Sequence, residues 1–253
     1  MFAFVELTPQ RLTRKKSFMT ELYAVVNRKP VYKIITNKKY IAEESDAQSM
    51  LSERFGGRIL LPQGISAPPQ IRRTMGGKTA YLREILSLSA ARLVSAAFGR
   101  AGYIGIVDPF GRFARYLHCF LPVAAKLSVV SLRQDIYAPL LEEIYHTTGA
   151  ALLLNNDVAG VDACDAVIVA EPGLNQRISH PPVIAAYGEQ NDWIGLGVVD
   201  TCIAVPEGIS PLDFAFALTA FNGVPAAPAS RFVYNGREIG QQAAVELMTI
   251  KRV

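Results

Sequence analysis

The stretch YIGIVDPFGRF (103–113) decides how this chain is read: a short apolar run ends at Asp108 and passes through a Pro/Gly turn into an amphipathic segment. Apolar runs recur downstream. LSVVSL (127–132) and ALLLN (151–155) are further apolar runs, and the intervening segments, 112–125 and 136–147, predict helices. Strands buried on both faces carry continuous hydrophobic runs, and their alternation with helices predicts a parallel sheet covered on both sides. DAVIVAE (165–171), PVIAAYG (182–188) and VVDTCIAV (198–205) predict three more strands, joined by loops rather than clear helices.

Working outward, Ser210 and Pro211 open a predicted helix over 211–221, as N-cap and first helical residue. Asn235-Gly236 lies between two β-prone runs and predicts a tight hairpin. A helix over 241–249 follows. On the N-terminal side, a helix is predicted over 78–98, ending at Gly99. FAFVEL (2–7), LYAVV (22–26), VYKII (31–35) and KYIA (39–42) predict an antiparallel meander. A helix capped at Ser45 and stopped by Gly56-Gly57 then precedes the strand RILLP (58–62). GISAPPQIRRTMGG (64–77) has the composition of a junction. The expected organisation is a small basic α+β domain over 1–75 and a larger α/β domain over 76–253 that closes with a hairpin and helix.

Composition narrows the classes. Half of the 253 residues are apolar and 19% are charged, which suits a chain with a sizeable core. No apolar stretch reaches the roughly 18 residues a membrane helix needs, so no membrane partner is expected. The opening MFAFVEL predicts a first strand rather than a secretory signal. Cys119, Cys164 and Cys202, widely spaced and without a CxxC pair, predict inert thiols in a reducing cytoplasm. The net charge of +4 hides an asymmetry: residues 1–100 carry 17 Lys/Arg against 7 Asp/Glu, and residues 101–253 carry 9 against 15. Such a basic first half can meet a nucleic acid or an acidic protein partner, through Arg14-Lys15-Lys16, Arg28-Lys29 and Lys38-Lys39 interleaved with Tyr23, Tyr32 and Tyr40.

In open α/β sheets, ligands bind beyond the carboxyl ends of the strands. The residues after the first strand, Asp108 and Phe110-Gly111-Arg112-Phe113, therefore head the candidate site, with a helix start able to hold an anion. In position this turn resembles the first βα turn of Rossmann dinucleotide-binding proteins. It departs from their GxGxxG pattern, keeping only Gly111 between the bulky Phe110 and Arg112. The resemblance implies a Rossmann-like three-layer fold with a parallel sheet over about residues 100–230, preceded by the small α+β domain. It also implies a bound nucleotide. Arg133, where the second strand ends, favours NADP over NAD as the cofactor. Asn155, Asn156 and Asp157 follow the third strand, and Glu171 the fourth, completing the expected cofactor-binding set.

Asp108 and His180 are the catalytic candidates; His180 is the one histidine placed near that edge, and neither His118 nor His146 has metal-ligand spacing. GGKT (76–79) ends like a phosphate-binding P-loop, but Arg72 stands where the leading glycine belongs. What survives is glycine-rich backbone with Arg72, Arg73 and Lys78 nearby, able to attract an anion. Three functions follow: a nucleotide- or dinucleotide-binding protein with NAD(P)-dependent oxidoreductase activity; a non-enzymatic binding or regulatory protein using the sheet as scaffold; and a Mg²⁺-dependent phosphoryl-transfer or hydrolytic enzyme built on Asp108, Asp157 and Glu171.

Overall fold

The computed structural model describes residues 1–8, 18–38, 41, 45–67, 69–74, 76–99, 102–169, 178, 182–185 and 193–250. The chain divides into two compact units, 1–81 with 200–226, and 82–199 with 227–253. A continuous division near residue 75 was expected; the observed one falls after Tyr81 and returns 200–226 to the first unit. The reason is burial. Phe214, Ala217 and Leu218 share a hydrophobic cluster with Phe2, Phe4 and Leu60, and the Phe2 and Phe214 rings meet edge to face at 5.7 Å.

The first unit holds β1 (Phe2–Leu7), β2 (Phe18–Val26), β3 (Lys29–Thr36) and β4 (Ile59–Leu60) in the order β2-β3-β1-β4. The predicted antiparallel meander is corrected. Only β2 and β3 form a hairpin, turning at Asn27 and Arg28 with φ of 49° and 62°; β1 runs parallel to both β3 and β4. Residues Phe2–Val5 are buried on both sides of the strand, as suits an inner position. Phe2 and Phe4 point into one cluster, while Ala3 and Val5 point into another with Leu51 and Phe55. Those last two belong to α1 (Ser45–Phe55), which stops at Gly56-Gly57; α2 (Pro69–Thr74) follows β4. KYIA falls, apart from Ile41, outside the described residues. The chain passes into the second unit along α3 (Lys78–Phe98).

The second unit is built on β5 (Gly102–Val107), β6 (Ala124–Val130), β7 (Ala151–Asn155), β8 (Ala166–Val169), β9 (Val183–Ala185) and β10 (Trp193–Leu196). The hairpin β11 (Arg231–Tyr234) and β12 (Arg237–Gly240) turns at Asn235-Gly236, with φ of 48° and 71°. Strand order is β12-β11-β10-β9-β8-β5-β6-β7. All five pairings from β7 to β10 are parallel, and the two that follow, β10 with β11 and β11 with β12, are antiparallel. In chain order the six parallel strands lie 3-2-1-4-5-6, the doubly wound Rossmann order. The fold is therefore a Rossmann-like mixed α/β architecture.

Three expectations about its elements need correction. The helix over 112–125 is instead a turn and a short 3₁₀ helix, Ala114–Cys119. Pro122 blocks a longer helix, and the 3₁₀ spacing puts Phe113 against Tyr116, with ring centroids 5.6 Å apart, while Phe113 also stacks on Phe120 at 6.1 Å. The helix over 136–147 is two pieces, α4 (Gln134–Tyr137) and α5 (Leu140–Thr148), separated at Ala138-Pro139 and stopped by Gly149 at φ 72°. The sixth strand is Trp193–Leu196 and not 198–205, where only Val199 makes a bridge, to Ala229. Cys202 is also exposed, whereas Cys164 is buried. Chain order returns through α6 (Pro211–Ala217), which continues as a π-helical turn, Leu218–Asn222, and closes with α7 (Gln241–Ile250). Among the described residues no helix is long and apolar enough to cross a membrane.

Candidate functional site

β5 pairs with β6 on one side and with β8 on the other, so the crossovers diverge at its carboxyl end. This is the topological switch point, the place at which open α/β sheets generally bind ligands. Asp108 sits there and is fully buried. Its backbone amide donates to Val130 O at 3.0 Å, extending the pairing with β6 by one residue.

The carboxylate points inward. Its Oδ2 accepts the Phe113 amide at 2.6 Å and the Tyr137 hydroxyl at 2.5 Å, while Oδ1 is buried without a hydrogen-bond partner among the described atoms. Burial, then the adjacent Asp108 carboxylate, pushes the Tyr137 phenol well above its ordinary pKa, so it remains a donor. Asp108 thus ties the turn to α4. Tyr137 was not singled out in the sequence, where it falls within the helix predicted over 136–147.

Gly111 has φ 70°, and a Cβ there would lie 2.5 Å from Ile136 Cδ1 and 3.1 Å from Arg133 Cβ. Only glycine permits this approach, which seats the turn directly on the start of α4. Phe110 is 53% exposed, Arg112 lies over its ring at 5.0 Å, and Phe113 is buried. Arg133 is exposed and forms a forked pair with Asp135, Nε to Oδ1 at 2.9 Å and Nη2 to Oδ2 at 2.8 Å. Each partner favours the other's charged form, raising Arg133 and lowering Asp135. Ser131 Oγ accepts the Arg133 amide at 3.0 Å and fixes the bend after β6.

The residues after β7 are likewise held by the protein. Asn155 Nδ2 donates to Ser128 Oγ at 2.7 Å, and that hydroxyl donates to Gly160 O at 2.7 Å. Asn156 accepts from Gln134 Nε2 at 2.6 Å, joining the ends of β6 and β7. Asp157 caps the 3₁₀ helix Val158–Val161 by accepting the Ala159 amide at 3.1 Å. Ser128 and Gln134 were also missed, since only strand pairing reveals what each touches. The structure therefore brings the Asp108–Phe113 turn and Arg133 together and ties Asn156 to the same edge. Glu171 and His180 lie outside the described residues, as do Arg14-Lys15-Lys16, Lys39 and Tyr40. Among the described residues no group of three metal-ligating side chains converges. Of the proposed nucleic-acid face, Tyr23 packs on Phe4 at 4.9 Å and donates to Ala204 O, and Tyr32 packs on Phe55 at 5.8 Å.

No protein-family model matches the chain. No curated protein matches it in sequence. Among solved structures it is similar to a Thermococcus litoralis Δ(1)-pyrroline-2-carboxylate reductase in complex with NADH and L-proline, at 16% identity and a TM-score of 0.28 over 41% of this chain and 36% of that one. It is similar to the L-tryptophan dehydrogenase of Nostoc punctiforme, at 14% identity and a TM-score of 0.37, spanning 88% of this chain and 66% of that enzyme. A shikimate dehydrogenase in complex with NADP⁺ gives 13% identity and a TM-score of 0.36 over 88% of this chain and 85% of its own. At such values the fold assignment rests on the strand order itself.

Proposed function

We propose that the parallel-sheet unit binds a nucleotide at its carboxyl edge, in the NAD(P) class, with Arg133 favouring NADP. The observation that carries this reading is the seating of the β5 turn on Arg133 through Gly111, beside the switch point between β5 and β8. The residues do not fit a pyrophosphate in the usual pose. The amide of Phe113, which would face a phosphate, donates instead to Asp108, and a 3₁₀ turn replaces the helix whose dipole would help. Anion recognition at this edge therefore falls to side chains, Arg112 and Arg133, with the exposed Phe110 and Leu132 beside them for a base to pack on. Asp108 is a positioning residue in this reading, and His180 is the proposed acid or base of an oxidoreductase.

A second reading is favoured by the Asp108–Phe113–Tyr137 arrangement: a sheet whose phosphate turn is closed from within serves as a scaffold for a non-enzymatic regulator. Calorimetric titration with NADP⁺, NAD⁺ and adenosine 2′,5′-bisphosphate separates the two. Saturable binding with a preference for the 2′-phosphate, abolished in Arg133→Ala, supports the nucleotide reading. Absence of heat with all three at millimolar concentration supports the scaffold.

A further inference from the structure

The first unit contains a cavity of about 390 Å³, within the range of small-molecule sites. Its apolar wall comes from the chain leaving β4, with Leu61, Pro62 and Ile65, and from Ile71 of α2. Its polar side is made by Arg72, Lys78, Asp213 and Ser210, drawn from three separate segments. Lys78 is the first residue of α3 and directly follows the Gly76-Gly77 pair whose motif the sheet edge does not use.

Two of these groups are ion-paired: Lys78 Nζ meets Asp213 Oδ1, with side-chain exposures of 38% and 30%. Asp213 is placed by its own backbone, whose amide donates to the N-cap Ser210 Oγ at 3.4 Å. Arg72, one of the lining residues, is anchored by its Nε, which donates to Ala67 O at 2.6 Å. An ion pair this exposed adds little to stability, so folding alone gives little reason for gathering three charges around an apolar concavity. Two cations against one carboxylate leave a net positive wall.

We propose that this cavity binds a small organic acid, whose carboxylate is taken by Lys78 and Arg72 while Asp213 accepts a hydrogen bond from a hydroxyl on the same ligand. The apolar wall then covers the ligand's carbon frame. Volume limits the ligand to a small ring or short chain, and the positive balance selects a monoanion over a neutral analogue. The proposal does not rest on nucleotide binding at the sheet edge, because all its residues belong to the other unit.

The test uses the full chain and a probe set of 3-hydroxybenzoate, lactate and 3-hydroxybutyrate, each beside its uncharged amide, with binding followed by NMR of amides in 59–72 and by calorimetry. The expected result is saturable binding of at least one acid with shifts confined to 59–67, 72, 78 and 210–213. Its amide should bind roughly tenfold more weakly, as loss of one charge-assisted bond implies. Lys78→Met should lose binding by a similar factor, and Lys78→Arg should restore part of it. Thermal unfolding of each variant verifies that the fold persists; if Lys78→Met does not fold, the acid-against-amide ratio in the unaltered chain decides alone. Shifts at no cavity residue with any acid, or equal binding of acid and amide, overturn the proposal.

Discussion

The turn after β5 and the cavity of the first unit both gather charged residues beside glycine, yet they use them in opposite ways. At the turn, Asp108 is fully buried and its Oδ2 is committed to Phe113 and Tyr137. Around the cavity, Lys78 and Asp213 pair with each other yet each stays about a third exposed, and Arg72 lines the same cavity. The difference is one of solvation. A buried carboxylate must find donors within the protein, whereas a half-exposed ion pair exchanges partners at low cost. Structural and ligand-binding charge can therefore be told apart by what completes their hydrogen bonds.

The strongest way to break this contrast is to remove the buried carboxylate. Asp108→Ala leaves the Phe113 amide and the Tyr137 hydroxyl without their acceptor and should cost about 2–5 kcal/mol in urea unfolding. A loss under about 1 kcal/mol would mean the turn does not depend on it. Gly111→Ala comes next, at about 1–3 kcal/mol, because it adds a Cβ at φ 70° within 2.5 Å of Ile136. Tyr137→Phe should cost about 1 kcal/mol, since Asp108 keeps its bond to Phe113.

Alkaline pH sharpens the same point. Burial pushes the Cys164 thiol up to about 12, so folding holds the proton that the unfolded chain releases earlier. The corresponding stability is present below about pH 9 and lost as pH rises towards 12, and the unfolding midpoint of Cys164→Ala should fall less steeply there than that of the unaltered protein. The smallest change is expected at the cavity: Lys78→Met should alter stability by less than about 1 kcal/mol. A loss of several kcal/mol would instead mark Lys78 as a structural charge.

Much of the parallel sheet was legible in the sequence because its strands are apolar runs whose local composition fits burial on both faces. The hairpin at Asn235-Gly236 was legible for a similar reason, its turn chemistry being local. The helix expected over 112–125 failed because aromatic burial at 113, 116 and 120, with Pro122 ahead, favours a tight turn over a regular helix. β10 was missed because Trp193–Leu196 is only four residues long and its pairing comes from β9 and β11. At the candidate site, Asp108, Gly111 and Arg133 were singled out by their position after strands, but Tyr137 was not.

By itself, then, the sequence determined where most of the strands form, since that follows from periodicity and turn propensity over a few neighbours. The tertiary structure alone decided which residues face one another. It turned Asp108 towards Tyr137, set β1 between β3 and β4, and brought Asp213 to Lys78, each through contacts between segments far apart in the chain. Hydrogen bonding and burial act through space, and no local pattern encodes the partner that a distant segment supplies.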